Sequence, residues 1–156
     1  MTSGSQGYAV AAHEGPAWDM RPGRPAVFKL FADDTDGRIA VFEEAVPPGV
    51  GTPLHLHRTS DEVIYVHSGD FTVRLGENSE RVSADAWVFV PLGTVHGWRN
   101  SGSEAGRLFF IFTPGAGAKA FEEMRLQGKH LPEIDPAIRD AIFARHGYES
   151  FDRDWE

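Results

Sequence analysis

Between Ala26 and Thr113 the chain repeats one pattern: short runs rich in Val, Ile, Phe and Thr, each closed by a cluster of Gly, Pro, Asp or Asn. The runs are AVFKLFA, RIAVFEEAV, PLHLH, EVIYVHS, DFTVRLG, ERVS, AWVFV, VHGWRN and GRLFFIF, and the punctuation includes DTDG, PPGVG, SGD, GENS, PLGT and NSGSEAG. Apolar stretches of this length between turn residues predict β-strands. So many strands at close spacing predict an all-β sandwich or small barrel, and no helical period runs through the segment.

After Thr113 the pattern changes. GAKAFEEMRLQG predicts one helix ending at Gly128. DPAIRDAIFARHG predicts another, with Asp135 as N-cap, Pro136 in the first turn and Gly147 beyond the C-terminus. Ile138, Ala141, Ile142 and Arg145 recur at helical spacing, so this helix is expected to pack an apolar stripe on the outside of the β-body. The closing segment ARHGYESFDRDWE is expected to cover an edge strand, with closure of the barrel mouth as the alternative. The organisation expected is a single domain: an extended arm over 1–25, a barrel over 26–114 and C-terminal helices over 115–156 packed on it.

Composition narrows the class. A chain of 156 residues with 41% hydrophobic and 24% charged residues suits one globular domain. Fifteen Lys and Arg against 23 Asp and Glu give a formal charge of −8. That balance disfavours nucleic acid and anionic membrane as partners. Cysteine is absent, which excludes disulfides, thiolate ligands and thiol nucleophiles. The N-terminal residues lack the basic and apolar regions of a secretory signal, so a cytoplasmic location is expected.

Against this background GTPLHLHRTSDEVIYVHSG, residues 51–69, is unusually polar for a strand-rich segment. Buried imidazole and carboxylate lose several kcal/mol of hydration unless something compensates them. His55 and His57 are two residues apart and share a strand face; Glu62 opens the next strand with Ile64 and Val66 on its face. His96, after the turn PLGT, opens a later strand. Three imidazoles and a carboxylate suit a single divalent transition metal, Fe, Mn, Ni, Co or Zn. Asp61 is an alternative to Glu62, but its parity directs it to the other face. His67 also has the opposite parity. His13, His130 and His146 fall outside the candidate site, the last at a helix C-terminus where it suits the helix dipole. Trp98, Phe89, Phe110 and Phe112 are candidates both for core filling and for the wall of an aromatic substrate's cavity.

These residues resemble the two cupin motifs. The first, G-x5-H-x-H-x4-E-x6-G, fits at Gly49, His55, His57, Glu62 and Gly69; the second, G-x5-P-x-G-x2-H-x3-N, fits at Pro91, Gly93, His96 and Asn100, with Asp85 in place of its first glycine. The flanking segments are similar to single-domain bacterial cupins of the quercetin-dioxygenase-like subgroup. The resemblance implies a double-stranded β-helix, the cupin jelly-roll barrel, with a metal held by His55, His57, Glu62 and His96. It further implies a metal-dependent oxygenase acting on a small aromatic or enolisable oxygenated substrate, with Glu62 as base and dioxygen as co-substrate. A lyase, isomerase or cyclase that uses no oxygen, and a non-catalytic small-molecule binder, are the alternatives, because one fold hosts many functions. A homodimer is the assembly expected.

Overall fold

The computed structural model describes residues 6–151 and Trp155. Its strands form two antiparallel sheets that face each other. One carries, in spatial order, β1 (Ala17–Arg21), β2 (Arg24–Leu30), β3 (Ala40–Val46), β10 (Gly106–Thr113), β5 (Asp61–Ser68) and β8 (Trp87–Val90). The other carries β11 (Tyr148–Ser150), β4 (His55–His57), β9 (His96–Asn100), β6 (Phe71–Leu75) and β7 (Asn78–Val82). This is the all-β architecture that the alternation of the sequence predicts.

Period-two patterning fixes which side chains enter the space between the sheets. In β10, Leu108, Phe110 and Phe112 are buried while Arg107 and Thr113 face outward. In β5 the buried set is Glu62, Ile64 and Val66. Fully enclosed Phe28, Ile64, Val66, Phe71, Val73 and Leu108 make up much of the core, each contributing about 1.5–3 kcal/mol relative to an exposed side chain. Phe42 on β3 links the core to one end of the barrel, with its ring centroid 5.1–5.8 Å from those of Phe28, Phe110, Phe112 and Phe121.

Four features differ from or refine the sequence reading. First, part of the stretch expected as an extended arm is a strand: β1 pairs with β2 through a tight turn at Pro22 and Gly23, where Gly23 has φ 78°. Trp18 and Met20 of β1 are buried, and Trp18 Nε1 donates to Lys129 O at 2.9 Å. Second, GAKAFEEMRLQG is not one continuous helix. α1 covers only Lys119–Met124, between 3-10 turns at Gly115–Ala118 and Arg125–Gln127. The tighter first turn follows from packing, since a Cβ on Gly117 would lie 2.8 Å from Phe112 and Ser60.

Third, α2 (Pro136–Arg145) begins as predicted, with Asp135 Oδ1 accepting from Ala137 N at 2.8 Å, yet the expected stripe is not the buried one. Ile142 is enclosed, whereas Ile138 and Ala141 are exposed. The inward face instead pairs Ile142 with half-buried Phe143, which stacks on Tyr148 at 4.1 Å. Fourth, Asp85 has φ 68°, the left-handed conformation for which the cupin motif carries glycine. Aspartate tolerates it better than most residues, and Asp85 Oδ1 accepts the Tyr65 hydroxyl at 2.5 Å.

Beyond α2 the chain returns as β11 and pairs with β4, so Tyr148–Ser150 cover that sheet edge as expected. Trp155 is buried, with Nε1 donating to Thr52 O at 3.0 Å; residues 152–154 and 156 of the tail lie outside the described residues. Among the described residues no helix is long and apolar enough to cross a membrane.

Candidate metal centre

The two sheets contribute unequally to one buried cluster. β4 presents His55 and His57, and β9 places His96 directly opposite His55 in the ladder. Glu62 comes from β5 in the other sheet, where it faces Val90 of β8 and Phe112 of β10 across the backbone register. All four are buried, and their ligand atoms lie within 4.8 Å of one another. The shortest approaches are His96 Nε2 to Glu62 Oε2 at 2.8 Å and His57 Nε2 to the same oxygen at 3.4 Å.

Backbone carbonyls select the tautomers. His55 Nδ1 lies 2.8 Å from Pro53 O, and His96 Nδ1 lies 2.9 Å from Thr94 O. A carbonyl only accepts, so each Nδ1 carries a proton, and in a neutral ring Nε2 is left as a lone pair pointing into the cluster. Ring contacts fix the planes. Tyr148 stacks on His55 at 5.1 Å and Phe112 meets His57 edge-on at 5.0 Å.

This arrangement demands positive charge. A bare His96 Nε2 beside an ionised Glu62 oxygen would be repelled at 2.8 Å, so either a second proton or a cation belongs between them. Burial alone would raise the Glu62 carboxyl; His96 and then His57 outweigh it and hold Glu62 well below the usual carboxylate range. Burial would lower His96, but Glu62 overcomes it and raises the ring. His55 is pushed well below the ordinary imidazole value, by burial first and then by His96 and His57. Three imidazole nitrogens and one carboxylate are the donor chemistry of a divalent transition metal; outer hydrogen bonds preset His55 and His96, whereas His57 Nδ1 is buried without a partner among the described residues. The residues present fit such an ion.

The cluster opens onto a cavity of about 270 Å³. Its walls include Phe42, Trp98, Phe110, Phe112, Phe121 and Tyr148, together with the buried pair Arg24 and Glu44. Glu44 accepts from Arg24 Nε at 2.8 Å.

The structure thus brings His55, His57, Glu62 and His96 together. Asp61 lies outside the cluster, its Oδ1 accepting from Leu92 N at 2.9 Å. His67 is exposed, as are His13 and the face of β8 that carries Phe89. Phe89, at 59% exposure, is therefore no part of the cavity, because its parity on the edge strand β8 turns it outward. His130 Nδ1 bonds Asp19 O at 2.7 Å, and His146 Nε2 lies 2.7 Å from Glu123. Trp98, Phe110 and Phe112 fill the core and line the cavity at once. Sequence reasoning overlooked Arg24, Glu44 and Tyr148. The signal for Glu44 was present, since it shares strand parity with inward Phe42 in RIAVFEEAV.

Residues 42–112 match the family model described as cupin domain. In sequence the chain is 30% identical over 97 residues to polyketide synthase CurC of Streptomyces cyaneus, covering 62% of this chain but only 58% of that protein. In structure it is similar to KdgF from Halomonas sp., with a TM-score of 0.63 at 22% identity over 70% of this chain and 94% of that one. It is also similar to the polyketide cyclase RemF from Streptomyces resistomycificus, with a TM-score of 0.59 at 22% identity over 69% and 80% of the two chains. At these identities the structural likeness concerns the fold. The matched segment runs from within β3 to within β10 and contains all four donors, and with the two-sheet architecture it supports reading this chain as a cupin.

Proposed function

We propose that this chain is a metal-dependent enzyme acting on a small, enolisable, aromatic-rich oxygenated molecule, and that it rearranges or cyclises that molecule without consuming dioxygen. One observation carries the reading: three of the four clustered donors, His55, His57 and Glu62, form part of the wall of a cavity that also carries seven aromatic side chains. The likeness to CurC and RemF, whose names refer to polyketide chemistry, favours the redox-neutral version. Ring cleavage by dioxygen, implied by the likeness of the flanking segments to quercetin-dioxygenase-like cupins, is the second reading and needs the same donors.

His55, His57, Glu62 and His96 would hold the ion. When bound, a divalent cation supplies Lewis acidity that makes an enol or phenol more acidic. The remaining work falls to the chain. Trp98, Phe110 and Phe112 offer apolar surfaces against which a planar substrate is oriented and water is excluded. Glu62 is the base in this reading: its carboxylate is ionised and lies in the cavity wall. Because its proton affinity is low, it serves only a substrate whose own proton has become strongly acidic.

Elemental analysis of the purified protein, followed by incubation of metal-loaded enzyme with aromatic polyketones and flavonols under argon and in air, tests this. Equal product yield in both atmospheres with no oxygen uptake is expected. Oxygen consumed in step with product would establish the dioxygenase reading instead, and tight binding without any turnover would reject an enzyme.

A further inference from the structure

The second polar feature of the cavity has no part in the chemistry above. Arg24 and Glu44, on neighbouring strands β2 and β3, are 5% and 3% exposed and both line the cavity. The guanidinium lies over the Trp98 ring, 4.9 Å from its centroid. Arg24 Nε donates to Glu44 Oε2 at 2.8 Å and Nη1 approaches Gly51 O at 3.4 Å. Arginine offers five N–H donors, so three have no partner among the described residues. Glu44 Oε1 likewise accepts from none of them. Such unspent donors and acceptor on a buried, immobilised pair are costly unless a ligand or water meets them. Trp98 also sets the spacing, because it is two residues from His96 on the same strand face, a separation of about 7 Å.

We propose that Arg24 and Glu44 form the substrate's second anchor, resting on the proposed reading of the cavity as a substrate site. Arg24 donates to a neutral carbonyl oxygen and Glu44 accepts from an adjacent hydroxyl, while the aromatic frame between lies along Trp98 toward the four donors. The substrate class is accordingly a planar hydroxyketone rather than an aromatic acid. Charge at the pair decides between them: Glu44 neutralises Arg24, so a carboxylate bound there would add one negative charge beside Glu44, whereas a ketone adds none; of the other charged groups lining the cavity, Arg139 is paired with Asp140 and Arg21 is a further cation.

The probes are 1-hydroxy-2-acetonaphthone and 1-hydroxy-2-naphthoate, which share a frame and differ in the carbonyl group. Binding is measured by titration calorimetry on both metal-loaded and chelator-treated protein. The wild type is expected to bind the ketone about tenfold more tightly than the acid. Glu44→Gln frees the charge of Arg24 and is expected to reverse that order. Arg24→Gln/Glu44→Gln, which removes both charges and keeps polar side chains at both positions, is expected to bind both probes weakly, while circular dichroism and metal content match the wild type. The preference persisting without metal supports the anchor even if the metal reading fails. Equal affinities in the wild type, no binding of either probe, or an unchanged order in Glu44→Gln would each overturn it.

Discussion

Glu44 and Glu62 make an instructive pair. Both belong to the six-stranded sheet, both are 3% exposed and both face the same cavity. Glu44 meets a guanidinium, which is charged at any accessible pH, at 2.8 Å. Glu62 meets only imidazoles, whose charge depends on protonation and whose lone pairs equally suit a metal. The barrel therefore neutralises one buried carboxylate with a cation of its own and surrounds the other with ligands. That contrast, more than burial itself, marks Glu62 as belonging to an ion site and Glu44 to an ion pair.

The largest effect is expected at Arg24. Arg24→Met strands the Glu44 charge in the cavity wall, and loss of one partner of a buried pair costs about 3–5 kcal/mol. Arg24→Met/Glu44→Leu removes both charges and is expected to recover most of that loss in denaturant unfolding. A single variant no less stable than wild type would show that Glu44 does not depend on Arg24. Metal content should be unchanged in both variants, because neither residue belongs to the cluster.

At the other carboxylate the expected readout is inverted. His96→Ala and Glu62→Gln should lose metal and more than about 100-fold in activity, since even outer partners of metal ligands cost 10–100-fold. For the wild type, chelation should lower unfolding stability by about 2.7 kcal/mol relative to metal at 100 times its dissociation constant. Elemental analysis and thermal melting check both statements. Full metal retention by His96→Ala would refute the assignment. The ion would join the sheets, taking three donors from one and the fourth from the other, which is why a stability loss should accompany metal loss.

A third carboxylate, Asp85, is partnered for backbone reasons rather than for charge. Asp85→Ala keeps φ 68° without the Tyr65 hydrogen bond and should cost about 1–2 kcal/mol. Asp85→Gly relieves the backbone while losing the same bond, so it should fall within about 1 kcal/mol of wild type. Chemical denaturation of the two variants side by side separates the conformational part from the hydrogen bond.

Much of this was legible in the sequence because the relevant rules are local. Strand parity alone placed His55 with His57 and set Glu62 apart from Asp61, and turn residues marked most strand ends. What escaped depends on contacts distant along the chain. AWDMR lacks the β-branched alternation of the other strands, and it becomes β1 because the Pro22–Gly23 turn folds it onto β2. Tyr148–Ser150 is too short to announce a strand and is one only by pairing with β4. Ile138 and Ile142 carry the same helical signal, and only the shape of the barrel decides that Ile142 is covered. Arg24 and Glu44 each look like surface charges until the sheet brings them side by side.

The smallest effect is expected where a carboxylate is exposed. Glu123 on α1 forms an ion pair with Arg145 and has Oε2 at 2.7 Å from His146 Nε2 at the C-terminal end of α2, with 36% of its side chain exposed. The His146 hydrogen bond, and secondarily Arg145, hold its carboxyl below the ordinary value against a weaker opposing effect of burial. Solvent screening keeps such an exposed cluster within about 1 kcal/mol. A depressed folded value means that this contribution is complete above the unfolded carboxyl value of about 4.3 and is lost as pH falls through the lower folded one. Wild type and Glu123→Gln should accordingly differ slightly at pH 7 and converge under strong acid in thermal unfolding, with the gap narrowing further in high salt. A gap at pH 7 as large as that from Arg24→Met would mean that exposure does not separate this carboxylate from Glu44, and the ranking of charged groups by burial would have to be abandoned.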